Sequence, residues 1–283
     1  VAPYLNIQVE DEDSLTERFS GSQEVKLLDL AVIRLPRISN FTDFNPFEMI
    51  PGVSLRYVSH VSELKHPDLI FLPGTKNTME DLLWMRSSGM EAAVKKAAAA
   101  GTVIFGICGG YQMLGETLSD PDGVEAGGTI PGMGLLPMET VFTKQKTRTR
   151  VDGTFCQTGG KLSGLSGMPL EGYEIHMGQT VRKDGLPALT EICDTVASAC
   201  KADGAWNEQV YGSYVHGIFD REEAAKALVM SLGAAKGVDM SEAGAVDFRA
   251  FKETQYDILA DALREHLDMD KIYRILEEGA EVQ

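Results

Sequence analysis

Gly101–Gly115 reads GTVIFGICGGYQMLG. Val103 to Ile107 is apolar and β-branched, the pattern of a buried strand. GYQMLGETL, from Gly110 onward, begins a helix. Cys108 stands between them, flanked by Gly106, Gly109 and Gly110. A side chain on such a turn projects from the carboxyl edge of an open α/β sheet, the edge where these sheets hold ligands. The glycines admit strained backbone and close approach of a substrate. Backbone N–H groups at the start of the helix favour thiolate over thiol, below the free value of about 8.5. The N–H just after the nucleophile, that of Gly109, is placed to receive an oxyanion. The turn alone is equally consistent with a small buried cysteine filling a crowded corner.

Working outward, VKLLDLAVIRLPRI (Val25–Ile38) is a second buried strand and VSLRYVSHV (Val53–Val61) alternates like another. PDLIFLPG is a short apolar run closed by Pro73-Gly74. TMEDLLWMRSSGMEAAVKKAAAAG has helical period, broken near Ser87–Gly89. NFTDFNPFEMIPG reads as a turn-rich connector with room for a short helix. Continuously apolar strands alternating with helices predict an α/β fold with a mostly parallel sheet covered on both faces. After Gly127 the texture changes to extended segments joined by Gly-rich turns, which predicts antiparallel strands extending that sheet. Near the C-terminus, Ile258, Leu259, Leu263, Leu267, Ile272, Ile275 and Leu276 form an amphipathic face that reads as docked on the domain.

The 283-residue chain carries a formal charge of −16. Strong negative charge opposes binding to nucleic acid or anionic membrane. No apolar run reaches the ~18–20 residues that span a bilayer. Four cysteines, Cys108, Cys156, Cys193 and Cys200, are too sparse for a disulfide scaffold, and a reducing cytoplasmic setting is expected. The opening VAPYLNIQVEDEDSLTERFS lacks an initiator methionine and a signal-peptide pattern. Residues 1–24 therefore read as a linker or the end of a missing domain, with residues 25–283 as the domain proper.

A cysteine acting on an acyl carbon needs a histidine to take and return its proton. Of five histidines, His60 and His66 read as solvated loop residues and His266 as a helix-surface residue. His176 in GYEIHMG and His216 in YGSYVHGIFD both end extended segments. His216, followed directly by glycine at a strand terminus, is the stronger candidate, and the role of His176 is left open. A second oxyanion donor can come from the Pro73-Gly74 turn. No close-spaced ligand pair anchors a metal site.

Together these residues resemble the class I glutamine amidotransferases. Their motif G-x-C-x-G-x-Q stands here as Gly106, Cys108, Gly110 and Gln112. The resemblance implies a flavodoxin-like three-layer glutaminase domain. It implies Cys108 as nucleophile and His216 as base, Gly74 and Gly109 as oxyanion donors, and Thr75 and Gln112 as contacts to glutamine. VAPYLNIQVEDEDSL, LPGTKNTMEDLLWMR, GICGGYQMLG, GYEIHMGQT and YGSYVHGIFD, in that order, are similar to the C-terminal half of the cobyric acid synthases, which amidate corrinoids. Nearly the whole chain is covered. That resemblance implies a missing N-terminal synthetase domain, which would use ATP and Mg and bind the corrinoid. No phosphate-binding G-x-x-x-x-G-K-[ST] occurs here; QTGGKLSG has the wrong spacing. One departure concerns the imidazole. Most triad members carry a glutamate two residues after the histidine, where this chain has Ile218. Glu174, Asp220 or backbone carbonyls are then the candidates to orient His216. Alternatives are the glutaminase of a cobyrinic acid a,c-diamide synthase or of a cell-wall amidating enzyme, or a cysteine hydrolase of the same fold.

Overall fold

The computed structural model describes residues 25–183, 185–241 and 248–278. The expected linker over residues 1–24, with its acidic run 10–13, lies outside them. The chain divides into two compact units, one spanning Glu12–Val246 and one containing the C-terminal helices.

In the larger unit, β1 (Leu28–Ile33) is followed by a 3₁₀ turn (Phe41–Phe44), α1 (Asn45–Glu48), β2 (Val53–Val58), α2 (Val61–Leu64) and β3 (Leu69–Leu72). Helices α3 (Thr78–Ser87) and α4 (Met90–Ala99) part at the expected break, where Gly89 takes φ 79°. Then come β4 (Val103–Ile107), α5 (Gly109–Met113), β5 (Thr117–Asp120), β6 (Gly128–Pro131) and the long β7 (Met138–Phe155). A 3₁₀ segment (Gly160–Leu165) precedes β8 (Pro169–Arg182), β9 (Thr190–Asp194), β10 (Cys200–Asp203), β11 (Ala205–Asn207), β12 (Val210–Ser213) and α6 (Glu222–Lys236).

One sheet has the order β11-β12-β4-β3-β1-β2. Every neighbouring pair in it is parallel except β11 with β12. With β12 in the fifth place this is the flavodoxin-like order. β1, β3, β4 and β12 are buried along their whole lengths, as a sheet covered on both faces requires. Phe47, Phe71, Phe105 and Phe219 fill one side of the core with tilted and edge-on contacts, for example 5.0 Å between the Phe105 and Phe219 centroids.

The strand-rich half departs from expectation in one respect. Of these strands only β12 and the edge strand β11 join the first sheet. The rest forms a second sheet, β10-β9-β7-β5-β6 with β8 on β7, antiparallel except for β5 beside β7. The reason is pairing at close range: β7 and β8 form a long hairpin whose alternate residues face solvent, so it completes its own ladder. Its register shifts once, between Phe142 and Thr147.

The expectation of unpaired cysteines is corrected for one pair. Cys193 and Cys200 are directly opposite in the antiparallel β9–β10 register, with Cα atoms 4.0 Å apart, and form a disulfide. The turn between them makes neighbours of two residues that no Cys-x-x-Cys spacing links. Cys108 and Cys156 are free.

The other unit contains α7 (Phe248–His266) and α8 (Met269–Glu278). Within this unit the helices are amphipathic, and Ile258, Leu263, Leu267, Ile275 and Leu276 are exposed. No helix among the described residues is long and apolar enough to cross a membrane.

Candidate active site

The chain ends that carry the candidate residues converge at the carboxyl edge of the parallel sheet. Cys108 leaves β4, Gly74 and Thr75 follow β3, His216 follows β12, and the Asn40–Asp43 turn follows β1. Cys108 has φ 52° and ψ −109°, a region that non-glycine residues seldom occupy. The surroundings impose it. The Cys108 N–H donates to Ser213 O at 2.9 Å, and its carbonyl accepts from the Gln112 N–H at 3.0 Å. Gly110 is where the helix meets the neighbouring strand: a Cβ there would lie 2.0 Å from Leu72 O. The glycine thus lets α5 press against β3 while the elbow holds Cys108 at the edge. α5 spans only Gly109–Met113, so its collective dipole is small.

His216 is buried and gripped on three sides. Its backbone forms a two-bond bridge with Tyr173 of β8, at 2.9 and 3.1 Å. Gly172 permits that approach, since a Cβ on it would fall 2.1 Å from His216 O. The Tyr173 ring stacks on the imidazole with centroids 5.3 Å apart. Nδ1 meets Asp43 Oδ2 at 2.8 Å, and the other Asp43 oxygen accepts from the Gly217 N–H at 2.8 Å. Nε2 meets the Asn40 side-chain amide at 3.0 Å. Cys108 is a further hydrogen-bond and charge partner of the ring. Burial pulls the imidazolium pKa down, but the charges of Asp43 and Cys108 outweigh it and raise His216 from 6.5 to about 10. At neutral pH this favours a protonated imidazole beside Cys108.

The carboxylate on His216 is therefore Asp43, not the Glu174 or Asp220 expected from the sequence. Glu174 is turned to the other side of β8, where it meets His176 Nε2 at 3.3 Å and Lys201 Nζ at 2.9 Å. Its Oε2 is buried with no hydrogen-bond partner. Burial opposes its ionisation, yet the bonds from His176 and Lys201 hold its pKa below the usual carboxylate value. Asp220 belongs to the turn after His216, its own N–H donating to Gly217 O at 2.8 Å. Asp43 is not marked in the sequence because it lies 173 positions from His216, in a turn-rich connector. The available signal was an acid set among Phe41, Phe44 and Phe47, where a charge needs a partner.

Gly74 and Gly109 are brought together. A Cβ on Gly74 would be 2.8 Å from His216 Cε1, and one on Gly109 would be 3.3 Å from Thr75 N. The two backbone stretches thus pack closely against each other next to Cys108. The Thr75 hydroxyl is engaged with Asp81 Oδ2 at 2.5 Å, leaving its backbone as the group toward the site. Gln112 is buried, with Oε1 accepting from Thr78 Oγ1 at 2.9 Å and Nε2 donating to Tyr214 Oη at 3.2 Å. Both ends of its amide are tied within the protein. His176 stacks on Tyr214 with centroids 3.8 Å apart, and its Nδ1 meets Gly178 O at 2.8 Å. Among the described residues no group of three or more His, Cys, Asp or Glu side chains is placed to hold a metal ion.

A thiol at a strained elbow, an imidazole held by a carboxylate, and two glycine-bearing loops packed beside them suit acyl transfer from an amide. Comparisons with known proteins agree with that chemistry. Residues 29–224 match the CobB/CobQ-like glutamine amidotransferase domain. The chain is similar to cobyric acid synthase of Ruminiclostridium cellulolyticum, 52% identical over 99% of this chain and 55% of that protein. It is 44% identical to cobyric acid synthase of Photorhabdus laumondii, over 98% of this chain and 55% of that one. The chain thus spans about half the length of the curated relatives it matches. Among solved structures, PurLQS from Thermotoga maritima shares the fold, with TM-score 0.54 and 19% identity over 74% of this chain and 99% of that chain. A structure titled glutamine amidotransferase has TM-score 0.50 and 14% identity over 72% and 98% of the two chains. With the family model covering well over half its length, the chain belongs to the CobB/CobQ-like glutamine amidotransferase family.

Proposed function

We propose that this domain hydrolyses glutamine through a thioester on Cys108 and supplies the ammonia to an ATP-dependent amide ligase acting on corrinoid side-chain carboxylates. The Cys108 thiolate attacks the side-chain amide carbon of glutamine, and the oxyanion is received by the N–H groups of Gly109 and the Gly74–Thr75 loop. His216, held at Nδ1 by Asp43, gives its Nε2 proton to the departing ammonia. Water, deprotonated by the now neutral His216, opens the thioester to glutamate, and the thiol is regenerated. Gln112 ties α5 to α3 and Tyr214, and so places the elbow. ATP and Mg would serve the synthetase half that completes the longer relatives.

The observation that carries this reading is the His216 contact set: Asp43 on one ring nitrogen at 2.8 Å, and Asp43 and then Cys108 together raising the imidazole, against burial, to about 10. The corrinoid role is supported by the similarity to cobyric acid synthases. The test is glutamate release from glutamine by this chain, alone and joined to the synthetase half, beside Cys108→Ala and His216→Ala. Loss of at least roughly a thousandfold is expected in each variant. A parent that releases no glutamate even with the synthetase half present would overturn the proposal.

A further inference from the structure

Asn40 and Asp43 lie three residues apart, and between them they contact both nitrogens of His216. The turn that presents them is firmly held. The Ser39 N–H donates to Gly74 O at 2.9 Å, the Lys76 N–H to Arg37 O at 3.0 Å, and the Asp43 N–H to Asn40 O at 3.1 Å. Ile38 also bridges Thr75. Asn40 itself takes φ 51° and ψ 40°, a left-handed conformation that asparagine tolerates better than most residues. Its side chain is thus aimed at Nε2 by a turn fastened to the Gly74 loop.

Nε2 is the atom through which the reaction's protons pass. It must accept the proton of Cys108 Sγ, leaving a thiolate and an imidazolium, and later release that proton to the leaving ammonia. The atom therefore alternates between acceptor and donor. A carboxamide presents an N–H donor and a carbonyl acceptor on one planar head, so a half-turn of that head matches either state. Which atom faces Nε2 follows the protonation of the ring. Among the described residues, the other titratable groups facing His216 are Asp43 from the same turn, Cys108 from the elbow and Tyr173 from β8, while Asp220 lies against Gly217. Asp43 is already committed to Nδ1 and the Gly217 N–H.

We infer that Asn40 is a positioning residue for His216, whose carboxamide turns over as the proton moves between Sγ and Nε2 and keeps the ring directed at Cys108 in both states. The inference rests on the Cys108–His216 pair of the proposed reaction, but not on glutamine as the substrate. It is tested by the pH dependence of Cys108 alkylation with iodoacetamide, read by mass spectrometry of the Cys108 peptide, in the parent chain, Asn40→Gly and Asn40→Asp. Glycine keeps the positive φ and removes only the side chain, while aspartate keeps the shape and can only accept. Thermal melting checks that each variant folds. Asn40→Gly is expected to lower the alkylation rate at neutral pH at least threefold, because the imidazolium loses an acceptor. Asn40→Asp is expected to move the profile to lower pH and to slow glutamate release about tenfold, because the neutral ring loses its donor. Superimposable profiles, or two variants shifted the same way, would overturn the assignment. If the glycine variant does not fold, the direction of the aspartate shift decides. Opposite shifts together with no glutamate release by the parent would sink the glutaminase reading and leave the Asn40 assignment standing.

Discussion

His176 meets Glu174 at 3.3 Å across two positions of one strand, whereas His216 meets Asp43 at 2.8 Å across 173 positions of chain. In the first pair both ring nitrogens are already engaged. His176 Nδ1 is on Gly178 O, its ring lies on Tyr214, and Glu174 is shared with Lys201. That cluster fastens β8 and the Tyr214 hydroxyl that holds Gln112. In the second pair the carboxylate takes one ring nitrogen and the Gly217 N–H, and the other nitrogen is directed to Asn40 beside Cys108. A histidine with a nearby acid is thus not the same as a histidine prepared for proton transfer. The difference lies in what its second nitrogen can reach.

The sharpest way to break this contrast is to neutralise each acid without changing its shape. Asp43→Asn should lower glutamate release by roughly a hundredfold or more, since the tautomer and charge support of the base are lost. Glu174→Gln should leave the rate within about threefold and instead lower stability by about 1–2 kcal/mol, measured by denaturant unfolding, because a buried charge-assisted network is weakened. Equal losses of activity in the two variants would erase the distinction. A second measurement concerns pH. Folding raises the His216 pKa from 6.5 to about 10. The charged pair therefore contributes stability that is complete below about 6.5 and fades as pH rises through about 10. Asp43→Asn should flatten this decline in the melting temperature between those limits, and Glu174→Gln should leave it in place. The smallest effect is expected at Lys201, whose side chain is half exposed. Lys201→Met should cost no more than about 1 kcal/mol and leave glutamate release within experimental scatter of the parent.

Much of the fold was legible because its signals are local. The apolar runs of β1, β3 and β4, the break at Gly89 and the strand–Cys–Gly–Gly–helix turn each lie within a dozen residues. The second sheet was less so. The segments of β7 and β8 read as extended, whereas Thr117 and Leu118 of β5 read as part of a helix that in fact ends at Met113, and alternation along a strand does not say which strand it will pair with. The same limit hid the Cys193–Cys200 bond, which depends on the β9–β10 register.

The sequence by itself singled out Cys108, His216 and the two glycine-bearing loops as the candidate site, because motif spacing at the edge of a parallel sheet ties residue type to chemistry. Only the tertiary structure decided how the histidine is held. Ile218 occupies the expected orienting position and is buried, and the carboxylate comes instead from a turn after β1. Topology brings the ends of β1 and β12 to one edge of the sheet. A side chain's partner is a property of that edge in space, and no spacing along the chain records it.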